Sequence, residues 1–263
     1  METNVAIIIA NYNYGHYLMD GIESIRKQSY EGPVQIYVVD DGSSDGSWDK
    51  ICEITEADSS GNMEEGHYTG PIESRKGENL FAYRINNSGA STARNVAIHK
   101  AWGWADVFGI LDADDQYKEN KVQVLLDKLM EHVEVGVAYA DYDIHRVFGD
   151  KDYTKYEFKE SYDRELLLNK CMVHSNALIK RSVLAAVQLP NGEYFDSRLH
   201  GPGSQGFIGC TEDYDLWLRL SKICMMVHVP QSLAIAIESG QNQSMKMTPE
   251  IFMQNAEILK TRS

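Results

Sequence analysis

Five short apolar runs rich in β-branched residues recur through the first half of this chain, at residues 5–10, 34–40, 80–85, 107–112 and 135–140. Between them the apolar residues return every three or four positions, as Leu18, Ile22 and Ile25 after the first run and Val122, Leu125, Leu126 and Leu129 after the fourth. A strand covered on both faces reads as an unbroken apolar run, whereas a helix lying on a sheet reads as a stripe of period 3.6. The alternation therefore predicts an α/β chain built on a Rossmann-like, mainly parallel sheet flanked by helices.

Composition narrows what such a sheet can serve. Against 25 basic residues stand 39 acidic ones, a formal charge of −14 in 263 residues, and that field repels nucleic acid and anionic membrane. With 43% hydrophobic and 24% charged residues the chain is of ordinary globular make-up. No run approaches the roughly 18 apolar residues of a membrane span, so membrane contact is expected to be peripheral at most. The opening METNVAIIIANYNYGHYL lacks a basic segment and a cleavage site and reads as a strand, not a signal peptide. Cys52, Cys171, Cys210 and Cys224 are scattered without a C-x-x-C pair, which argues against zinc or a disulfide framework and fits a reducing cytoplasm. Residues 56–79 are polar and rich in glycine, with no sustained period, and read as a long mobile surface excursion. A Gly-rich loop at 200–209, whose glycines suit a lid, precedes a helix expected over about 212–223.

In an open parallel sheet ligands gather at the carboxyl ends of the strands. Here those ends carry Asn11, Tyr12 and Asn13; Asp40, Asp41, Gly42 and Ser43; and Asp112, Ala113, Asp114 and Asp115. The Asp-Asp-Gly-Ser stretch reads equally as a turn with a helix cap or as a carboxylate that accepts ligand N–H or hydroxyl groups, with Tyr12 supplying an aromatic face for a base. Three carboxylates within four residues repel one another unless a cation or donors compensate, and hard ions such as Mg²⁺ or Mn²⁺ take this kind of oxygen donor together with phosphate. Between these motifs, Gly89 and Ser91 suit a tight turn into a helix that carries Arg94 in its first turns, where it can pair with a phosphate or with the acidic residues.

Strand-N-Y-N, V-V-D-D-G-S-S-D, N-x-G-x-S-x-A-R-N and L-D-A-D-D follow one another in the order and rough spacing of the family 2 glycosyltransferases of GT-A fold, and Thr211 to Leu220, TEDYDLWLRL, resembles that family's downstream E-D motif. The resemblance runs over about residues 4–245. It implies an inverting, metal-dependent hexosyltransferase that uses a nucleotide-diphosphate sugar, UDP favoured. On that resemblance Ala10, Tyr12, Asn13, Asp40, Asp41, Gly89, Arg94, Asp112, Ala113 and Asp114 surround the nucleotide sugar, with Tyr12 and one or both of Asp40 and Asp41 at the base and Asp112 near the ribose. Asp114, with Asp112, meets a divalent metal, Mn²⁺ or Mg²⁺, and Asp115 shares or tunes that role. Asp213 takes the place of the general base, supported by Glu212.

The resemblance further implies a single GT-A domain, with residues 1–115 on the nucleotide sugar, 116–245 on acceptor and catalysis, and 246–263 as a helical tail. Many relatives carry a Y-R-x-H stretch near the C-terminus whose His reaches the metal. Here that region, residues 234–244, reads AIAIESGQNQS, and Glu238 is the one carboxylate available to substitute. His174 and His200 are candidate acceptor-facing residues. No membrane spans or Q-x-x-R-W motif accompany these motifs, so one sugar per encounter is expected, with a glycan, lipid-linked sugar or glycoconjugate as acceptor. Two alternatives remain at this point: a degenerate nucleotide-sugar-binding protein, and a phosphohydrolase using Asp112 as nucleophile.

Overall fold

The computed structural model describes residues 2–65, 68–148, 151–174, 176–199, 211–239, 250 and 257–259. Its elements run β1 (Val5–Asn11), α1 (Gly15–Arg26), β2 (Val34–Asp40), α2 (Ser47–Glu53), β3 (Glu56–Glu65), β4 (Tyr68–Gly77), β5 (Leu80–Arg84), α3 (Ala90–Ala101), β6 (Val107–Asp112), β7 (Gln116–Tyr117), α4 (Lys121–Glu131) and β8 (Val135–Phe148). There follow β9 (Lys151–Glu157), α5 (Arg164–Leu167), β10 (Leu178–Lys180), α6 (Arg181–Ala186), a 3₁₀ turn at Ser197–Leu199, α7 (Glu212–Leu220) and β11 (Met225–Glu238).

One mixed sheet holds the strands in the order β3-β4-β5-β2-β1-β6-β10-β8-β11-β7, with β9 paired to β8. The four strands β5, β2, β1 and β6 are mutually parallel, and β10 enters antiparallel between β6 and β8. Consecutive side chains of β1 go to opposite layers. Ala6 and Ile8 join the core under α3 and α7, which also holds Phe108, Tyr194 and Trp217, while Val5, Ile7 and Ile9 join the core under α1 and α4. The first helix buries Leu18, Ile22 and Ile25, spaced to fall on one face, and each contributes about 1.5–3 kcal/mol of apolar burial.

All five runs read from the sequence are strands, and the α/β class is the one found. The polar stretch 56–79 differs from expectation. It forms the β3–β4 hairpin, and β4 continues the sheet from β5 through pairs from Glu73 with Arg84 to Gly77 with Leu80. Among its described side chains Tyr68 and Ser74 are buried, and the Tyr68 hydroxyl donates to the Pro71 carbonyl at 2.8 Å and accepts from the Asn86 amide at 3.1 Å. The second half is also more regular than its pattern suggests, because β8 runs to Phe148 and pairs along its length with β11 and β9. The helix expected over about 212–223 ends at Leu220. Cys52, Cys171 and Cys224 are free thiols. The loop at 200–209, His200 and Cys210 lie outside the described residues, as does most of the expected tail, of which Glu250 and residues 257–259 are helical. Among the described residues no helix is long and apolar enough to cross a membrane.

Candidate active site

Register brings the motif-bearing strand ends level. Asn11 pairs with Asp40 across β1 and β2, and half-buried Ala10 pairs with Asp112 across β1 and β6. Asp40 is fully buried; its carboxylate accepts from the Asn11 side-chain amide at 2.8 Å and the Ser43 backbone N–H at 3.1 Å, with Arg84 Nε 3.6 Å away. Asp41 accepts from the Ser88 N–H at 2.7 Å with one oxygen and from the Gly89 N–H at 2.8 Å with the other. Gly89 is at φ +91°, a conformation that costs other residues strain, and it sits just before α3. Asp41 thus fixes the turn that launches α3. Asn13, at φ +62°, accepts from the Ser44 N–H at 2.7 Å, and Tyr12 beside it is 47% exposed. An exposed ring on a loop braced at both ends is available to a base.

The third helix carries Arg94 inward. Its guanidinium donates to Glu212 Oε1 at 2.8 Å and to Asp112 Oδ1 at 2.8 Å, and lies 3.5 Å from Asp213 Oδ1. Burial opposes the charge, yet Asp213, Asp112 and Glu212 together outweigh it and hold its pKa well above the ordinary arginine value. Glu212 and Asp213 occupy the first turn of α7, where the partial positive charge of the helix end adds to that of the arginine. Of the two partners the sequence allowed for Arg94, phosphate or carboxylate, the described structure supplies carboxylate. The end of β6 and the start of α7 become one charged array.

Behind it lies a second cluster. Ala113 and Asp115 are buried, whereas Asp112 and Asp114 are partly exposed. Burial first, then the charges of Asp112 and Asp114, push the Asp115 carboxyl well above the usual carboxylate range; the Ile237 N–H at 3.3 Å and Lys121 work against that rise. Lys121 opens α4 with a fully buried side chain, 3.2 Å from Asn176 Oδ1 and 4.5 Å from the centre of the Tyr117 ring. Burial pulls its pKa down to about 7, and Asp115 resists that fall. Lys121 was not singled out in the sequence, although it occupies a position of the same stripe as Val122, Leu125 and Leu129, where a lysine is out of pattern.

His174 packs at a tilt against Tyr142 with ring centres 4.2 Å apart, and burial together with Lys159 pulls its pKa down to about 3, so its imidazole is neutral. Glu238, at the end of β11, is held by Arg146 of β8, whose Nε donates to it at 2.6 Å. Among the described residues no three His, Cys, Asp or Glu side chains converge as a ready metal cage. The donor set nevertheless suits a hard cation: it is all carboxylate oxygen, Asp114 is accessible, and burial with repulsion from Asp112 and Asp114 already raises Asp115. A surface cavity of about 370 Å³ between α1 and β7, lined by Asp20, Glu23, Lys27 and Glu119, shares only Tyr117 with this cluster.

Residues 6–187 match the family model described as glycosyl transferase family 2. The chain belongs to that family. The matched span includes the strand-end motifs and Arg94, while α7 lies beyond it. Glycosyltransferase GlyG of Streptococcus pneumoniae is 26% identical over 74% of this chain and 63% of its own length. The putative teichuronic acid biosynthesis glycosyltransferase TuaG of Bacillus subtilis is 28% identical over 71% of this chain and 66% of its own. The chain spans from about a third to about two thirds of the length of the curated relatives it matches. The structure of S. aureus TarS in complex with UDP-GlcNAc superposes with a TM-score of 0.61 at 16% identity, covering 98% of this chain and 65% of that one. At that identity the likeness establishes the shared GT-A fold.

Proposed function

We propose that this protein transfers one sugar, with inversion, from a nucleotide-diphosphate sugar to a hydroxyl of a glycan, lipid-linked sugar or glycoconjugate. The observation that carries this reading is the Arg94 bridge, which ties the carboxylates at the end of β6 to Glu212 and Asp213 at the head of α7. Inverting transfer is a single displacement, so one carboxylate must receive the acceptor's proton on the face opposite the leaving diphosphate. Asp213, with 14% of its side chain exposed, is the member of the array placed to take that proton, while nearly enclosed Glu212 anchors Arg94.

Tyr12, Asn13 and the Asp40–Asp41 turn form the nucleotide end of the cleft, Gly89 and Arg94 its wall, and Ala10, Asp112 and Ala113 its floor. Support for UDP comes from TarS, solved with UDP and with UDP-GlcNAc, and the relatives named for teichoic and teichuronic acid synthesis support a glycan-type acceptor. Asp114 and Asp112, with Asp115 behind them, would hold Mn²⁺ or Mg²⁺, which supplies charge neutralisation for the departing diphosphate. Asp213→Asn keeps the shape and removes the proton acceptor. Transfer from UDP-GlcNAc and other UDP-sugars is then expected to lose about 10²-fold or more in kcat while UDP affinity by calorimetry stays near the parental value. Near-parental turnover would remove Asp213 from the mechanism.

A further inference from the structure

The stretch that leads out of β9 holds a cation with no assigned work. Lys159 is half-buried, and its backbone N–H is fixed to Asp141 Oδ1 at 2.7 Å. Its ammonium lies 5.0 Å from the centre of the Tyr142 ring, and among the described residues it has no carboxylate partner. The nearest acids in sequence are already taken. Glu157 is bound by Lys155 at 3.3 Å, and Glu160 by Lys170. Burial lowers the Lys159 pKa and the charges of Glu157 and Glu160 act against that fall, yet neither carboxylate pairs with it directly, so an anion that reached it would meet a partly desolvated cation.

A chain of contacts leads from it towards the acidic cluster. Tyr142, against which it lies, packs at a tilt against His174 with ring centres 4.2 Å apart, and both Lys159 and Asp112 are within electrostatic reach of His174. The Cys171 thiol likewise feels both Lys159 and Asp213. Asn176, whose backbone N–H donates to His174 Nδ1 at 3.4 Å, is 3% exposed, and its side-chain Nδ2 has no acceptor among the described residues. Through Asn176, whose Oδ1 accepts from Lys121 Nζ at 3.2 Å, the chain of contacts reaches the lysine that faces Asp115. Tyr142 belongs to β8, separated from β1 by β6 and β10, whereas the nucleotide loops follow β1 and β2.

We propose that Lys159 is an acceptor-binding residue whose ammonium takes an oxyanion carried by the acceptor, a phosphate or a carboxylate, so that anionic sugars or polyols are the preferred acceptor class. The inference rests on the transferase reading above only for calling the bound molecule an acceptor. A strong charge-assisted hydrogen bond in a partly desolvated site is worth about tenfold or more in affinity.

Calorimetry on the full chain with UDP present tests it, using glycerol 3-phosphate, glycerate and glycerol as probes. The parent protein is expected to bind one or both anionic probes at least about tenfold more tightly than glycerol. Lys159→Gln should erase that preference and Lys159→Arg should keep most of it. Comparing phosphate with carboxylate identifies which oxyanion is preferred. No preference in the parent, a measurement that needs no variant, would overturn the proposal, as would a preference that survives in Lys159→Gln. A Lys159→Gln protein that instead loses affinity for UDP would place the lysine on the donor diphosphate and equally overturn it. None of these readouts requires turnover, so a failure of Asp213→Asn to slow transfer would count against the mechanism and leave this result standing on its own.

Discussion

Arg94→Met tests whether the charged array is a structural keystone as well as a catalytic one. The guanidinium's side chain is 8% exposed and that of Glu212 is 1% exposed, so the substitution leaves a carboxylate enclosed in protein with its counter-charge gone. Breaking one side of a buried pair costs about 3–5 kcal/mol. Asp112, 32% exposed, is screened by water and adds less than about 1 kcal/mol. The head of α7 returns roughly 0.3–1 kcal/mol to Glu212 and Asp213. The net expectation is a loss of about 3–5 kcal/mol, roughly a fifth or more of the stability of a typical domain, and a fall in Tm on the order of 6–20 °C. Urea and thermal unfolding of the parent, Arg94→Met, Glu212→Gln and the double variant measure this directly. The double variant is expected to be more stable than Arg94→Met alone, because the stranded charge is removed with its partner. A loss below about 1 kcal/mol in Arg94→Met, or a double variant no more stable than Arg94→Met, would refute the reasoning.

Three further outcomes are expected. Asp114→Asn should weaken UDP binding when Mn²⁺ or Mg²⁺ is present and hardly alter it with chelator, and equal metal-dependent affinity in variant and parent would take Asp114 off the metal. Glu238→Ala should leave Mn²⁺ affinity, measured with UDP present, within about twofold because Arg146 already holds that carboxylate; a roughly tenfold drop would put Glu238 on the metal instead. Burial of His174 lowers its pKa from 6.5 to about 3, so the unfolded chain binds a proton that the folded one refuses: the stability share is complete above pH 6.5 and is lost as pH falls towards 3. His174→Phe should therefore show a shallower loss of stability between pH 6.5 and 4 in urea titrations, and identical slopes would contradict the buried neutral imidazole.

What the sequence made legible follows from which forces are local. Five strands declared themselves because burial on both faces demands continuous apolar runs, and the ends of β1, β2 and β6 declared themselves because those runs stop at Asn11, Asp40 and Asp112. The β3–β4 hairpin did not, since a strand at the border of a sheet need bury little: Tyr68 and Ser74 face inward among glycine, proline and charges that read as loop. At Asp40 and Asp41 the residue types alone allowed two readings, turn or ligand contact, and the hydrogen bonds show that both carboxylates brace turns. Arg94 was legible as a charge near a helix start. Pairing with an acidic residue was among its readings and Asp112 fulfils it, but the partner on α7 was not legible, because Glu212 lies 118 positions away and no local pattern carries that distance.

The same long-range pairing explains why the two halves read from the motifs work as one body. The strand β10 is hydrogen-bonded to β6 on one side and β8 on the other, so the sheet that starts among the strand-end motifs of the first half continues without a break into the second. The chain then comes back: β11 pairs with β7 just after the carboxylate run, and its Ile237 N–H reaches Asp115. Asp112 is thereby held by Arg94 from α3, and Asp115 by the Ile237 N–H of β11 with Lys121 in electrostatic reach. Such clustered negative charge is destabilising by itself, and the fold offsets it with cations drawn from helices on both sides of the sheet. A residue that shifts any one of those cations alters the charge of the carboxylate cluster proposed to hold a metal and, through Glu212, the seat of Asp213. Arg94 therefore ties Asp112 to Glu212 and Asp213, the residues that the proposed reaction assigns to its donor end and its base end.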